Sequence, residues 1–331
     1  MTTVLERLNH GMRDCLEDSD QVILLGEDLI DPYGGAFKVT RGLSTEYPGR
    51  VITTPVSEAG IVGIGTGMAL RGMRPIVEIM FGDFLMLAGD QLLNHAAKLR
   101  WMSNDQVRVP LVVRTPMGGR RGYGPTHSQS LEKHFLGVPG LRTIALTPLA
   151  DPAKLLEHAV LQDDDPVLFI EHKLLYAAPA QPELPEFEST VSDSAYPAFR
   201  LRVRGAPPPS LTMAAYGYSA ELARHAALKL AYEHELFVEL VVFTQISPSE
   251  HGVLQESLSA TGRLLTIEES SRQLGWGAEC IADMVESLGP SLRCARLGAA
   301  DTPIPAAGTL EEATLPQVGD ILAAARSLAA V

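Results

Sequence analysis

Thr54-Pro55-Val56-Ser57-Glu58-Ala59-Gly60 places a single acid where an apolar strand ends and a glycine-rich helix begins. The residues leading in, Arg50-Val51-Ile52-Thr53-Thr54-Pro55, read as a short strand closed by a proline. The residues leading out, Ile61 to Leu70, read as a buried helix in which Gly60, Gly63, Gly65 and Gly67 permit close backbone approach. A carboxylate at such a junction has two readings. It is either a helix N-terminal acid favoured by the helix dipole, or a buried group whose proton affinity is tuned by its surroundings. The segment alone leaves both open.

The same strand-and-helix alternation extends along the first half. Candidate strands are Val22–Leu25, Val51–Thr53, Pro75–Ile79, Pro110–Arg114, Arg142–Leu146 and Pro166–Glu171, with helical patterns at Ala59–Arg71, Phe84–Trp101 and Pro152–Gln162. This is the βαβ signature of a mostly parallel sheet covered by helices. Residues 178–209 are rich in proline and poor in periodicity, which suggests a surface linker between domains. Alternation then resumes, with strands expected at Leu211–Ala215, Phe237–Phe243, Arg263–Glu268 and Leu292–Leu297. Helices are expected at Ser219–Tyr232, Ser249–Ala260, Ala278–Leu288 and Pro316–Leu328, the last with a first-turn proline. The fold class is therefore α/β in two domains, each a mostly parallel sheet flanked by helices. The expected boundaries are 1–178, a Pro-rich linker 179–209, and 210–331.

A chain of 331 residues is longer than one core usually serves. Its 46% hydrophobic and 20% charged residues suit a soluble globular protein with a large interior. A formal net charge of −13 argues against a nucleic-acid backbone or an anionic membrane as partner. Cys15, Cys280 and Cys294 are scattered, odd in number and without metal spacing, so a reducing compartment is expected. The N-terminus lacks a secretory or transit pattern, and no apolar run reaches membrane-spanning length, which points to a bacterial cytoplasmic enzyme.

Three further patterns carry candidate chemistry. Glu78-Ile79-Met80-Phe81-Gly82-Asp83-Phe84 closes a strand, and ligands of parallel sheets bind beyond the carboxyl ends of strands. An aromatic residue there either stacks on a ring or simply fills core. The run from Arg114 to Ser130 is a long glycine-rich loop that closes on His127. Imidazole is the usual proton-transfer group near neutrality, so His127 is the candidate, with His134 able to compete and a surface-loop histidine as the bland reading. Gly26-Glu27-Asp28 contains acids that cap the next segment or contact a partner, with no chemistry assigned. P-loop, HExxH, zinc-spacing and GxSxG patterns are absent.

Taken in order, the blocks LLGEDLIDPYGGAFKVTRGL, RVITTPVSEAGIVGIGTGMALRGMRPIVEIMFGDF, DQLLNHAAKLRWMS, GPTHSQSLEKHFLGVPGLRTIALTP, PVLFIEHKLLY and DTPIPAAGTLEEATLP resemble the E1 component β subunit of 2-oxoacid dehydrogenase complexes. These are thiamin-diphosphate enzymes of the transketolase-like superfamily, and the resemblance covers nearly the whole chain. It implies a pyrimidine-binding domain followed by a transketolase C-terminal-like domain. Glu58 matches the glutamate that hydrogen-bonds N1′ of the cofactor's aminopyrimidine, Phe84 the aromatic that stacks on that ring, and Val56 and Met80 the apolar positions lining it. His127 matches the histidine that faces the substrate and the incoming lipoyl arm.

The diphosphate- and Mg²⁺-binding GDG…N motif of the superfamily is not present in Gly82-Asp83-Phe84 or Gly89-Asp90-Gln91. The resemblance thus implies an α subunit that supplies the Mg²⁺ ligands, an α₂β₂ heterotetramer, and docking to a lipoyl acyltransferase (E2). Some relatives carry a structural K⁺ near the turn Gln162–Pro166. Leu87, Gly137 and the segment 242–249 depart from the family's usual residues. The implied activity is decarboxylation of a 2-oxo acid, pyruvate or branched-chain, with transfer of the acyl group to lipoamide. The alternatives are a split-transketolase or biosynthetic subunit that transfers a ketol or acyl group without lipoamide, and a catalytically silent scaffold.

Overall fold

The computed structural model describes residues 2–330. They form two compact units. The first comprises the chain up to Met117 and His134–Gln181; the second comprises Gly118–Lys133 and the residues from Pro182 onward.

In the first unit the strands β1 (Val22–Gly26), β2 (Val51–Thr53), β3 (Arg74–Glu78), β4 (Val112–Met117), β5 (Arg142–Ala145) and β6 (Val167–His172) lie side by side in the order β5-β6-β4-β3-β1-β2. Every pairing among them is parallel. β4 and β6 are buried along their whole lengths, as expected of strands covered on both faces. The helices are α1 (Val4–Asp18), α2 (Leu43–Glu46), α3 (Glu58–Leu70), α4 (Ala97–Met102) and α5 (Pro152–Leu161).

Local chemistry sets the helix starts. Thr3 and Glu6 form a reciprocal capping box on α1. Asp151 caps α5 through the Ala153 N–H and also accepts from Arg7 of α1, with Nη2 at 2.6 Å, which ties the two helices together. Gly140 has φ +84°, and an added Cβ would meet the carbonyl oxygen and carbon of Ala97. Gly140→Ala is therefore expected to destabilise the chain by about 1–3 kcal/mol through backbone strain, read as a fall in the thermal midpoint.

The second unit contains β7 (Phe187–Val191), β8 (Phe199–Val203), β9 (Leu211–Tyr216), α6 (Gly217–His234), β10 (Val238–Phe243), β11 (Gln245–Ser247), α7 (Gly252–Thr261), β12 (Arg263–Ser271), α8 (Trp276–Leu288), β13 (Arg293–Ala299), α9 (Gly308–Thr314) and α10 (Val318–Ala330). Its sheet runs β13-β12-β9-β10-β8-β7. The first four of these strands are parallel, and β8 and β7 add on antiparallel.

Three expectations are corrected and one is refined. The Pro-rich stretch is not featureless. Phe199-Arg200-Leu201-Arg202-Val203 alternates inward and outward, as a half-buried strand does, and pairs with β7. Phe84–Trp101 is helical throughout, as expected, but its hydrogen bonding changes along the way: a 3₁₀ turn at Gly82–Ala88, a π turn at Gln91–Ala96 and then α4. Gly82 opens the segment where there is no room for a side chain, because an added Cβ would strike Met117. α3 is buried on one side only. Gly65 packs on Val77 and Leu111, whereas Ile64 is 57% exposed and Gly60 and Gly67 face outward. Pro316 precedes α10 instead of opening it, and its carbonyl accepts from Arg120.

Candidate active site

The parallel register brings three acids to the carboxyl ends of neighbouring strands. Gly26, the last residue of β1, pairs with Thr53 of β2 on one side and Glu78 of β3 on the other. Glu27 follows Gly26 directly, and Glu58 opens α3 a few residues beyond β2. Such a strand-end crevice is where open α/β sheets place their ligands.

Glu58 is only 6% exposed, although it stands in the first turn of a helix whose neighbours Ser57, Ala59 and Gly60 are exposed. That burial sets Glu58 apart from a solvated helix-end acid. Glu27 is 7% exposed, and its Oε1 has no hydrogen-bond partner. Burial first, and then the negative charge of Glu58, push the Glu27 carboxyl above its ordinary range, while the Ser57 N–H partly offsets this. Glu27 was not assigned chemistry from the sequence; an acid at a strand end was the only available signal.

Phe84 lies in the 3₁₀ turn after β3, half-buried, with its ring edge-on to Phe81 at 5.9 Å. Phe81 in turn meets Phe37 at 5.5 Å and lies under the ammonium of the fully buried Lys173. Met80 is half-buried just before this aromatic row, and Val56 is 78% exposed beside Glu58. Glu58, Val56, Met80 and Phe84 all belong to the first unit.

His127 belongs to the loop that clusters with the second unit. Its N–H donates to the Gly124 carbonyl at 3.3 Å, and its Nδ1 is 3.0 Å from Thr126 Oγ1. In the same unit Glu268 accepts the Trp276 and Gly277 N–H groups at the start of α8, both at 2.9 Å. Burial nevertheless raises its carboxyl to about 7. Since the folded-state value is raised, the stabilisation it gives is complete below about pH 4.5 and is lost as pH rises through about 7. The thermal midpoint is therefore expected to fall as pH rises from about 4.5 to about 7 in wild type, and to fall less in Glu268→Gln.

Among the described residues, no group of three or more His, Cys, Asp and Glu is placed to hold a metal ion. No helix there is long and apolar enough to cross a membrane. The turn before β6 is knitted by arginines. Arg74 Nη1 donates to the Val160 and Asp163 carbonyls at 2.8 and 3.0 Å. Asp163, Asp164 and Asp165 pair with Arg142, Arg74 and Arg100 respectively. These groups are arranged around guanidinium ions, and they do not fit a K⁺ site.

A two-unit chain with mostly parallel sheets and buried acids at a strand-end crevice defines an α/β protein with a ligand site at its strand ends, and its two domain matches make it transketolase-like. Residues 2–179 match the model of the transketolase pyrimidine-binding domain, and residues 203–321 match that of the transketolase C-terminal domain. The chain is 37% identical over 98% of its length to pyruvate dehydrogenase E1 component subunit beta-1, mitochondrial, of Oryza sativa subsp. japonica, covering 86% of that protein. It is 35% identical over 97% of its length to the mitochondrial subunit beta of Bos taurus, covering 88% of that protein. To the subunit beta of Rhizobium meliloti (strain 1021) it is 33% identical over 98% of its length, covering 69%. A solved split-gene transketolase, described as an inactive beta4 tetramer, superposes with a TM-score of 0.75 at 17% identity, over 99% of this chain and 98% of that one. At that identity the likeness concerns the fold alone. The chain belongs to the family of E1 component β subunits within the thiamin-diphosphate-dependent, transketolase-like superfamily.

Proposed function

We propose that this chain is the β half of an E1 enzyme that, with an α subunit, decarboxylates a 2-oxo acid and passes the acyl group to the lipoamide of an E2 acyltransferase. The observation that carries this reading is the buried Glu58 beside a Glu27 whose carboxyl is pushed upward. The ketol-transfer alternative is not favoured, because the relatives at 33–37% identity are E1 β subunits. Pyruvate is the first substrate to test, with branched-chain 2-oxo acids next.

The site suits thiamin diphosphate on its own features: a buried carboxylate at a strand-end crevice, an unpartnered oxygen on Glu27, and an aromatic row beside them. When bound, thiamin diphosphate supplies the carbon nucleophile and the electron sink for loss of CO₂. Glu58 would hold and exchange a proton at N1′ of the aminopyrimidine. Glu27, by retaining its own proton to higher pH, would spare Glu58 a second negative charge at close range. Phe84, Met80 and Val56 would line the ring with apolar surface and keep water from it. His127 would donate a proton to, or hydrogen-bond, the substrate oxygen during acyl transfer.

Mg²⁺ ligands are assigned to the α subunit on the missing GDG…N motif. The open face of α3, with Ile64 and the neighbouring Val56, is assigned to covering by that subunit in an α₂β₂ assembly. A bacterial cytoplasmic location agrees with three free cysteines. The test is calorimetric titration of thiamin diphosphate with Mg²⁺ into this chain alone and into its complex with an α-like subunit. Binding confined to the complex supports the half-site reading; full-strength binding by this chain alone overturns it.

A further inference from the structure

The loop that bears His127 leaves the end of β4, yet two buried carboxylates of the second unit grip it. Glu269, from β12, accepts the Gly119 N–H at 2.8 Å and Arg120 Nε at 3.0 Å. Glu311, from α9, accepts the Arg120 N–H at 2.7 Å and the Gly122 N–H at 2.9 Å. Arg120 also donates through Nη2 to the Pro316 carbonyl at 2.6 Å, and its guanidinium lies 5.3 Å from the centre of the Tyr218 ring. Both glutamates are buried.

The backbone is shaped for this grip. Arg120 has φ +71°, and Gly122 and Gly124 have φ +68° and +77°. A Cβ on Gly119 would lie 2.7 Å from Leu315 Cδ1 and 3.1 Å from Glu311 Oε1. Clustered N–H groups in such turns ordinarily attract an outside anion. Here the protein's own carboxylates satisfy them, and each bond is charge-assisted. At the far end of the loop, Lys133 Nζ donates to Ser271 Oγ at 2.5 Å and to the Gln273 carbonyl at 2.9 Å, and Tyr216 donates to Glu132 at 2.5 Å. At the neck, the Gly118 N–H donates to the Gln129 carbonyl at 3.2 Å. His127 thus rides on a loop fixed at both ends.

We propose that Arg120, Glu269 and Glu311 are positioning residues for His127, so that the C-terminal unit sets the geometry of acyl transfer as well as serving assembly. This rests on the reading of His127 given under Proposed function. The three residues act through the backbone of Gly119–Gly122 and touch no substrate. A misplacement of about 1 Å at a reacting group can cost on the order of 100-fold in rate.

The experiment uses the reconstituted complex of this chain with its α subunit. Arg120→Lys and Glu311→Gln are measured alone and in a His127→Ala background. Readouts are kcat for acyl transfer to lipoamide, calorimetric Kd for thiamin diphosphate, thermal midpoint, and the rate of tryptic cleavage at Arg120–Arg121. The expected result is a fall in kcat of about 10- to 100-fold in each single variant, an unchanged Kd and faster cleavage. Little further loss is expected in the His127→Ala background, since residues acting through one another are not additive. Arg120→Lys keeps the charge and removes the planar fork, so it tests the grip even if Glu311→Gln lowers the thermal midpoint. Full activity in both clasp variants while His127→Ala is impaired overturns the clasp and leaves the His127 reading standing. Fully additive losses overturn the clasp likewise. Full activity in His127→Ala overturns that reading, and the clasp with it.

Discussion

Glu58→Gln, assayed in complex with the α subunit, is expected to lose about 10²–10⁴-fold in 2-oxo acid decarboxylation, the range that a positioned proton-transfer group contributes. Glutamine preserves the size and the hydrogen-bonding oxygen of Glu58 but cannot exchange the proton. Thiamin diphosphate should therefore still bind, and the loss should fall on kcat, with a smaller change in Kd. Steady-state rates and calorimetry on the same preparation check both halves of the expectation. A Glu58→Gln complex that retains wild-type turnover would move the acid chemistry to Glu27, which is equally buried at the end of the adjacent strand and whose carboxyl is pushed upward by burial and by Glu58.

Arg114→Ala is expected to produce the largest loss of stability, about 3–5 kcal/mol, the usual consequence of removing one member of a buried ion cluster. Arg114 is fully buried in β4 and stands in register with Glu78 of β3. It donates through Nε and Nη2 to the two oxygens of Glu171 at 2.8 and 2.7 Å, and through Nη1 to Glu78. Tyr176 completes the group by donating to Glu171 at 2.6 Å. Burial by itself would favour neutral arginine, but the charges of Glu171 and Glu78 outweigh it and hold Arg114 protonated.

Without the guanidinium, two carboxylates would share one dry space. A denaturant midpoint measured on the full chain reads the loss. Adding Glu78→Gln and Glu171→Gln to Arg114→Ala should recover much of it by removing the stranded charges. If Arg114→Ala alone leaves the midpoint unchanged, the cluster contributes nothing net to the fold. The cluster reaches the Phe81–Phe84 row through Tyr176 and Phe37, so cofactor affinity should be measured on the same variants.

The burial of Glu58 was legible in the sequence because its neighbours are apolar and small. The strands were legible from their apolar runs, and their observed limits shift by only a few residues, as with Val167–His172 against the expected Pro166–Glu171. α3 was misread as buried all round because an apolar, glycine-rich helix looks the same whether its second face meets its own sheet or another chain. The change from 3₁₀ to π to α bonding within Phe84–Trp101 was hidden because the apolar pattern of a short segment does not distinguish these helical forms. Glu27 escaped assignment for a related reason: its charge matters only because β1 and β2 are neighbours, which places it beside Glu58.

The order of the motifs, the α/β alternation and the identity of the acid at the strand-to-helix junction were all determined by the sequence alone, since each is a local pattern of side-chain type and spacing. Only the tertiary structure decided which groups share a buried space. It joined Arg120 to Glu269 and Glu311 across 149 and 191 positions of chain, and it set Arg114 between two glutamates. Periodicity reports which face of an element is buried; it does not report what lies opposite, because that depends on strand order and loop path, which the local pattern does not encode.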